Sequence, residues 1–246
     1  MPQGPQAQGK DTRASKETGE PVAMREVVQQ LLGSPAACPA GREESRSCRK
    51  QELYRAFLAS CGVRYYHCGL ENFRATTKQQ KKVLKAVKDY AKRLQDNITD
   101  GKNLLLIGPA GTGKDHLLIA LAKLAIWHFQ IPVKRLTGPE LFRLCREAMQ
   151  YSEETHLLGI YKRCKVLLLS DPVPPAGQLT GHQASVLYEI VDFRYRNQLP
   201  IWCTLNASDS KEADKKLTPV ILDRIVHGAL VLRCNWPSFR KEQDVV

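Results

Sequence analysis

Gly108, Gly111, Gly113 and Lys114 are the residues of this chain best suited to chemistry, and that chemistry is the holding of phosphate. Glycine lets the backbone take conformations that a side chain forbids, so successive N–H groups can point inward at phosphate oxygens. Lys114 adds a point charge for β- and γ-phosphates, and the positive end of a following helix adds its dipole. The residue after such a lysine is ordinarily a Ser or Thr whose hydroxyl ligates Mg²⁺; here it is Asp115. A carboxylate is also a hard oxygen ligand but brings negative charge towards the phosphates, so Asp115 reads either as a metal ligand or as a helix cap.

The segment that must position these residues is NLLLIGPAGTGKDHLLIAL, Asn103 to Leu121. A short apolar run, a glycine-rich turn and a leucine- and alanine-rich helical pattern make strand, loop and helix, the helix running to about Phe129. Pro132 to Leu136 reads as a second strand, and Thr137-Gly138-Pro139-Glu140 as a helix start. KVLLLS, Lys165 to Ser170, is a buried strand ending in Asp171, where a phosphate-loop ATPase orients Mg²⁺; the plainer reading is a turn before Pro172. A proline-rich loop, a helix from Thr180 to Arg196, the strand Ile201 to Leu205 ending in Asn206, and a last strand Ala229 to Arg233 follow. Strands alternating with helices predict a three-layer α/β fold with a mainly parallel sheet.

The 246 residues, 43% of them hydrophobic, suffice for one substantial core and an appendage. A net charge of +12 and a pI near 9.4 favour an anionic partner, nucleic acid before a membrane surface. No apolar run is long enough to span a bilayer and the first residues lack the apolar centre of a signal peptide, which predicts a cytoplasmic protein. Eight cysteines are scattered. Cys38, Cys48, Cys61 and Cys68, with His67, have the donor types of a zinc site, yet none falls in a C-x-x-C pair, which favours ordinary thiols. Residues 1–22 read as a disordered tail and 23–68 as a small helical module with helices at Pro21 to Gly33 and Ser45 to Ala59. Residues 69–100 read as a linker with a basic amphipathic helix, and 101–246 as the phosphate-loop domain. Within that basic helix, Thr77 to Leu94, an apolar stripe (Val83, Leu84, Val87, Tyr90) faces away from Lys78, Lys81, Lys82, Lys85, Lys88 and Lys92. The lysines form either a solvated face or a track for nucleic-acid phosphates, with Lys81, Lys85 and Lys88 at its centre.

Together these residues resemble the DnaC/IstB-like branch of the AAA+ ATPases, the helicase loaders and transposition helper ATP-binding proteins. The likeness runs from about Cys61 to Arg240. CGVRYYHCGLENF resembles the segment before the ATPase core, GPAGTGKDHLL the Walker A loop, LLLSDP the Walker B strand, and WCTLNAS the sensor I strand. LDRIVHGALVL and NWPSFR resemble the C-terminal signature. The resemblance implies a three-layer AAA+ P-loop NTPase with five parallel strands in the order 5-1-4-3-2, and ATP and Mg²⁺ as cofactors. It implies that Gly108, Pro109, Ala110, Gly111, Thr112, Gly113, Lys114, Asp115 and His116 hold the nucleotide, that Asp171 orients the metal, and that Asn206 senses the γ-phosphate; Asp115, a departure from the family pattern, is either a second metal ligand or the helix cap. An amide at a strand tip can align an attacking water, although Asn206 also suits an Asx turn. Glu71, Asn72 and Phe73 would lie near the adenine, Phe73 being equally good core material. Arg224 would reach a neighbouring subunit's nucleotide and Arg240 is a second candidate for the γ-phosphate, in a homo-oligomer; both also suit plain salt bridges.

Two departures bear on turnover. The glutamate that activates water in the Walker B pattern is replaced by Pro172, and losing a general base costs about two to four orders of magnitude in rate. Pro219 and Val220 stand where loader-type members can carry Glu and Arg; Glu189 or Asp192 would be the substitute base. The resemblance implies an ATP-binding protein that acts on a replicative helicase or a transposase on DNA, single-stranded DNA in particular, with hydrolysis releasing the assembly. Asp115 and Pro172 favour a nucleotide-gated adaptor without turnover. A P-loop small-molecule kinase is a third reading, weakened by the lack of an arginine-rich lid after Asp171.

Overall fold

The computed structural model describes residues 42–174 and 177–240. The expected tail over residues 1–22 and the helix Pro21 to Gly33 lie outside them. Five short strands, β1 (Leu104–Ile107), β2 (Val133–Thr137), β3 (Val166–Ser170), β4 (Ile201–Leu205) and β5 (Leu230–Arg233), pair in the order β2-β3-β4-β1-β5 with every pair parallel. This is the expected order 5-1-4-3-2, with boundaries within about a residue of those read from hydropathy.

Side chains alternate across the pleat, so neighbours on one strand serve opposite cores. Leu105, Ile107, Leu167, Leu169, Cys203 and Leu205 face one apolar layer, and Leu104, Leu106, Val166, Leu168 and Trp202 the other. Both faces are covered, which is why the central strands are apolar throughout rather than alternating. The first face packs against α5 (Gly138–Met149), α6 (Glu154–Arg163), α7 (Gly181–Arg196), α8 (Ser210–Leu217) and α9 (Pro219–Val226). The second packs against α1 (Arg42–Cys61), α2 (Lys78–Lys92), α3 (Leu94–Thr99) and α4 (Lys114–Phe129). Burying each such Leu or Ile contributes about 1.5–3 kcal/mol. Helix α1 puts Phe57 and Cys61 into the same layer as α4.

Three helices start as the sequence dictates. Thr77, Thr137 and Thr180 each accept a backbone N–H from three residues on, while Gln80, Glu140 and Gln183 bond back to the threonine N–H. Helix α2 buries Val83, Val87 and Tyr90 and exposes its lysines, of which Lys92 pairs with Asp89 (2.9 Å). Its inner face is fixed by a polar relay: Trp202 Nε1 donates to Tyr90 Oη (3.0 Å), which donates to the Lys102 carbonyl (2.7 Å). Helices α3, α6, α8 and α9 are short and carry no strong sequence signal. No described helix is long and apolar enough to cross a membrane.

Candidate nucleotide-binding site

The loop Gly108 to Gly113 leaves the carboxyl end of β1 and opens α4, so its backbone and the helix N-terminus face the same space. Gly111 and Gly113 take φ of 82° and 83°, which L side chains rarely adopt. They are crowded too: a Cβ on Gly113 would stand 2.7 Å from the Phe73 ring, and one on Gly111 would collide with Ser238 Oγ. The chain beyond β5 closes over the loop, with Trp236 Nε1 donating to Thr112 O (3.0 Å) and Phe239 N–H to Gly111 O (3.0 Å).

Lys114, only 4% exposed, spends its three N–H donors on Gly108 O (2.9 Å), Pro109 O (2.7 Å) and Asn206 Oδ1 (2.7 Å). Burial pulls its pKa below the usual lysine value, with Asp171 opposing. Asp171 sits at the end of β3 with φ 44°, its N–H donating to Thr204 O (3.2 Å) and Thr204 Oγ1 (3.1 Å). Thr204 Oγ1 in turn donates to Asp115 Oδ1 (3.0 Å). Burial, and then the charge of Asp115, push the Asp171 carboxyl above the ordinary aspartate range, against the pull of Lys114 and Asn206. Its Oδ1 is buried without a hydrogen-bond partner. Beside the loop, Arg64, Tyr65, Asn72, Phe73, Arg74, His116 and Arg240 line a cleft of about 300 Å³. Phe73 meets His116 and Phe239 edge to face, at centroid distances of 5.5 and 5.9 Å. Such a cleft, half aromatic and half cationic and next to a phosphate cradle, suits a base and an anionic chain.

The description "IstB-like ATP binding protein" names the family whose model matches residues 42–245. The chain belongs to the IstB-like ATP-binding protein family. It is 38% identical over 206 residues to the replicative helicase loader DnaC of Buchnera aphidicola (subsp. Schizaphis graminum), covering 80% of this chain and 78% of that one. It is also 30% identical over 151 residues to an insertion-sequence IS21 ATP-binding protein of Pseudomonas aeruginosa, covering 58% and 54%. Among solved structures, the DnaC helicase loader superposes with a TM-score of 0.64 at 21% identity, over 70% of this chain and 99% of that one. Replication initiator DnaA bound to AMPPCP and single-stranded DNA gives 0.55 at 20% identity, over 70% and 50%. At these identities the two structures show the fold alone, a parallel α/β sheet around a phosphate loop.

Within this IstB-like frame the structure gathers Lys114, Asp115, Asp171 and Asn206 at the carboxyl ends of β1, β3 and β4. Asp115 is the second residue of α4, whose cap position is Gly113, and its partner is the Thr204 hydroxyl rather than a helix N–H. Two hard carboxylates, one with a buried unpartnered oxygen, fit a divalent cation. Pro172 is buried, and its carbonyl lies against Gly138, where a Cβ would collide with it. The substitute bases are held elsewhere: Glu189 pairs with Lys162, and Asp192 with Arg196 and Arg224 (both 2.9 Å). The cavity beyond Asp171, about 150 Å³, has Asp171 as the only carboxylate among the described residues that line it.

Arg224 is not brought to its own chain's loop. It stacks on Tyr188 (4.9 Å), donates to Asp192, and lines a cavity with Asn103 and Ile201 at the amino ends of the strands. Arg240 does line the cleft. Asn72 bridges Gly69 N–H (3.0 Å) and His67 O (2.5 Å), and so shapes the cleft wall. Among the described residues no three His, Cys, Asp or Glu side chains converge as a metal group outside this site's carboxylate pair, and Cys38 lies outside those residues. Burial pushes the Cys61 thiol up to about 11. Sequence reading missed Lys216, which donates to the Asn206 carbonyl and pairs with Glu212 (2.7 Å); only the short helix α8 brings it there.

Proposed function

We propose that this chain binds ATP with Mg²⁺ and, in that state, acts on DNA with a replicative helicase or a transposase as its partner. The supporting observation is the bond between Lys114 Nζ and Asn206 Oδ1, which ties the phosphate loop to the tip of β4. A phosphate group on Lys114 competes for the same ammonium donors, so its arrival frees Asn206 to turn towards it. The Asn206 carbonyl accepts from Lys216, and the rearrangement passes into α8 and α9, the helix that bears Arg224. That is a two-state element whose balance a ligand can bias. Asp115 and Asp171 hold the magnesium, which when bound neutralises phosphate charge. Arg240 faces the γ-phosphate within the chain, and Arg224 faces a neighbouring copy's nucleotide in a homo-oligomer.

Pro172 supports a second reading, a nucleotide-gated adaptor with little turnover. The expected result is saturable ATP binding with hydrolysis about two to four orders of magnitude below that of a P-loop ATPase carrying the glutamate. Equilibrium titration beside phosphate release, with and without single-stranded DNA, measures both; turnover on the order of 1–10 per second would overturn the adaptor reading. Absence of binding would overturn the ATP site.

The exposed lysines of α2 are the proposed DNA contact. Replacing Lys81, Lys85 and Lys88 together by Glu is expected to weaken single-stranded DNA binding at least tenfold at low salt. The slope of log affinity against log salt should shrink by up to about two, at roughly 0.7 per phosphate contact. All three side chains are exposed, so the thermal midpoint should hold. Parental DNA affinity in the triple variant would make this face merely solvated.

A further inference from the structure

We propose that Asp115 makes the site admit nucleotide only together with a divalent cation, so that the cation gates binding itself and not turnover alone. The inference rests on the ATP-site reading above. Thr204 Oγ1 is committed on both sides: it accepts from Asp171 N–H (3.1 Å) and donates to Asp115 Oδ1 (3.0 Å). Asp115 is therefore held to β4 at the floor of the site, close enough to Asp171 for its charge to act on it, while still lining the cleft. Asp171 keeps a buried oxygen without a hydrogen-bond partner. The neighbouring cation, Lys114, gives its hydrogen bonds to Gly108, Pro109 and Asn206 and none to either carboxylate.

The floor thus holds two carboxylates against one ammonium. Arg64, Arg74 and Arg240 stand on the cleft wall beside it, and Arg240 acts on both Lys114 and Asp171. At the floor itself a Ser or Thr after the lysine would leave the balance neutral, whereas Asp115 leaves one carboxylate in excess where the terminal phosphates must settle. In a partly buried site that repulsion is little screened. The α4 N-terminus offsets part of it. A divalent cation reverses the sign, because both carboxylates become its oxygen ligands and the nucleotide arrives with its charge partly neutralised.

The test is a titration of purified protein with a fluorescent ATP analogue, once in magnesium and once in EDTA, for the parent and for Asp115→Asn. The asparagine keeps an oxygen that can accept from Thr204 while removing the charge. The parent is expected to bind at least about 100-fold more weakly in EDTA. In Asp115→Asn the metal-free affinity should rise about tenfold or more, and the ratio between the two buffers should fall below about tenfold. Equal parental affinity in both buffers overturns the cation gate and leaves the ATP site standing, even if the variant does not fold. The same large ratio in both proteins also overturns it, since Asp115 would then be a strut for Thr204. Failure of the parent to bind in either buffer sinks the ATP-site reading and the gate with it.

Discussion

Replacing Lys114 by Ala is expected to abolish measurable nucleotide binding, a loss of at least about 100-fold, while the chain stays folded. Among the described residues, the ammonium is the one cation whose donors reach both loop carbonyls and the β4 tip. A hydrogen bond to a charged group contributes about 1.5–3 kcal/mol, and a phosphate on this lysine engages more than one. Folding should survive because the lysine is a burdened group: burial lowers its pKa, so the folded state holds its proton less firmly than the unfolded state does. The cost of keeping Lys114 charged is present at neutral pH and is relieved only as pH rises from the lowered folded pKa towards the ordinary lysine value. Alanine removes this cost and leaves Gly108 O and Pro109 O to water from the cleft. Fluorescent-nucleotide titration beside a thermal melt checks both halves, and parental affinity in a folded variant would falsify the assignment of the loop.

The largest stability effect is expected at Arg194. Its side chain is 0% exposed and, among the described residues, meets no carboxylate; instead it donates to the carbonyls of Tyr161 (2.9 Å), Lys162 (3.2 Å), Cys164 (2.8 Å), Lys165 (3.4 Å) and Pro200 (2.7 Å). These oxygens belong to the end of α6, the turn into β3 and the turn into β4, so one planar fork closes three chain segments. Arg194→Met keeps much of the volume and strands several buried carbonyls at about 1–3 kcal/mol each. The expected destabilisation is about 3–5 kcal/mol, a drop in melting midpoint of roughly 10 °C or more for a chain of this size. Lysine should not rescue it, because a point charge cannot reach so many acceptors at once. A loss below about 1 kcal/mol in urea unfolding would mean that the carbonyls find water, and that the clamp is dispensable.

The sheet and its phosphate loop could be read from the sequence because their causes are local. LLLI and VLLLS are too apolar for anything but doubly buried strands, and Thr77, Thr137 and Thr180 announce three helix starts with their partners three residues on. What could not be read depends on spatial neighbours that are distant in sequence. The contact of Asp115 with Thr204 exists because β4 lies beside β1, a crossover that periodicity does not encode. Arg224 could be matched to a motif, yet its place at the amino ends of the strands, stacked on Tyr188, follows from α9 packing on α7. Lys216 sits on a short polar helix without a hydrophobic stripe long enough to declare it. Trp236 and Phe239 looked like the end of a signature; folded back, they are the cover of the loop.

The Trp202–Tyr90–Lys102 relay has a mechanical consequence. Because one buried phenol joins α2 to both β4 and the entry of β1, the lysine row cannot tilt or slide without breaking a bond that ties the helix to the sheet. The row therefore behaves as a ruler bolted to the same frame as the phosphate loop. A helix swinging by itself within one chain would have to give up that relay first.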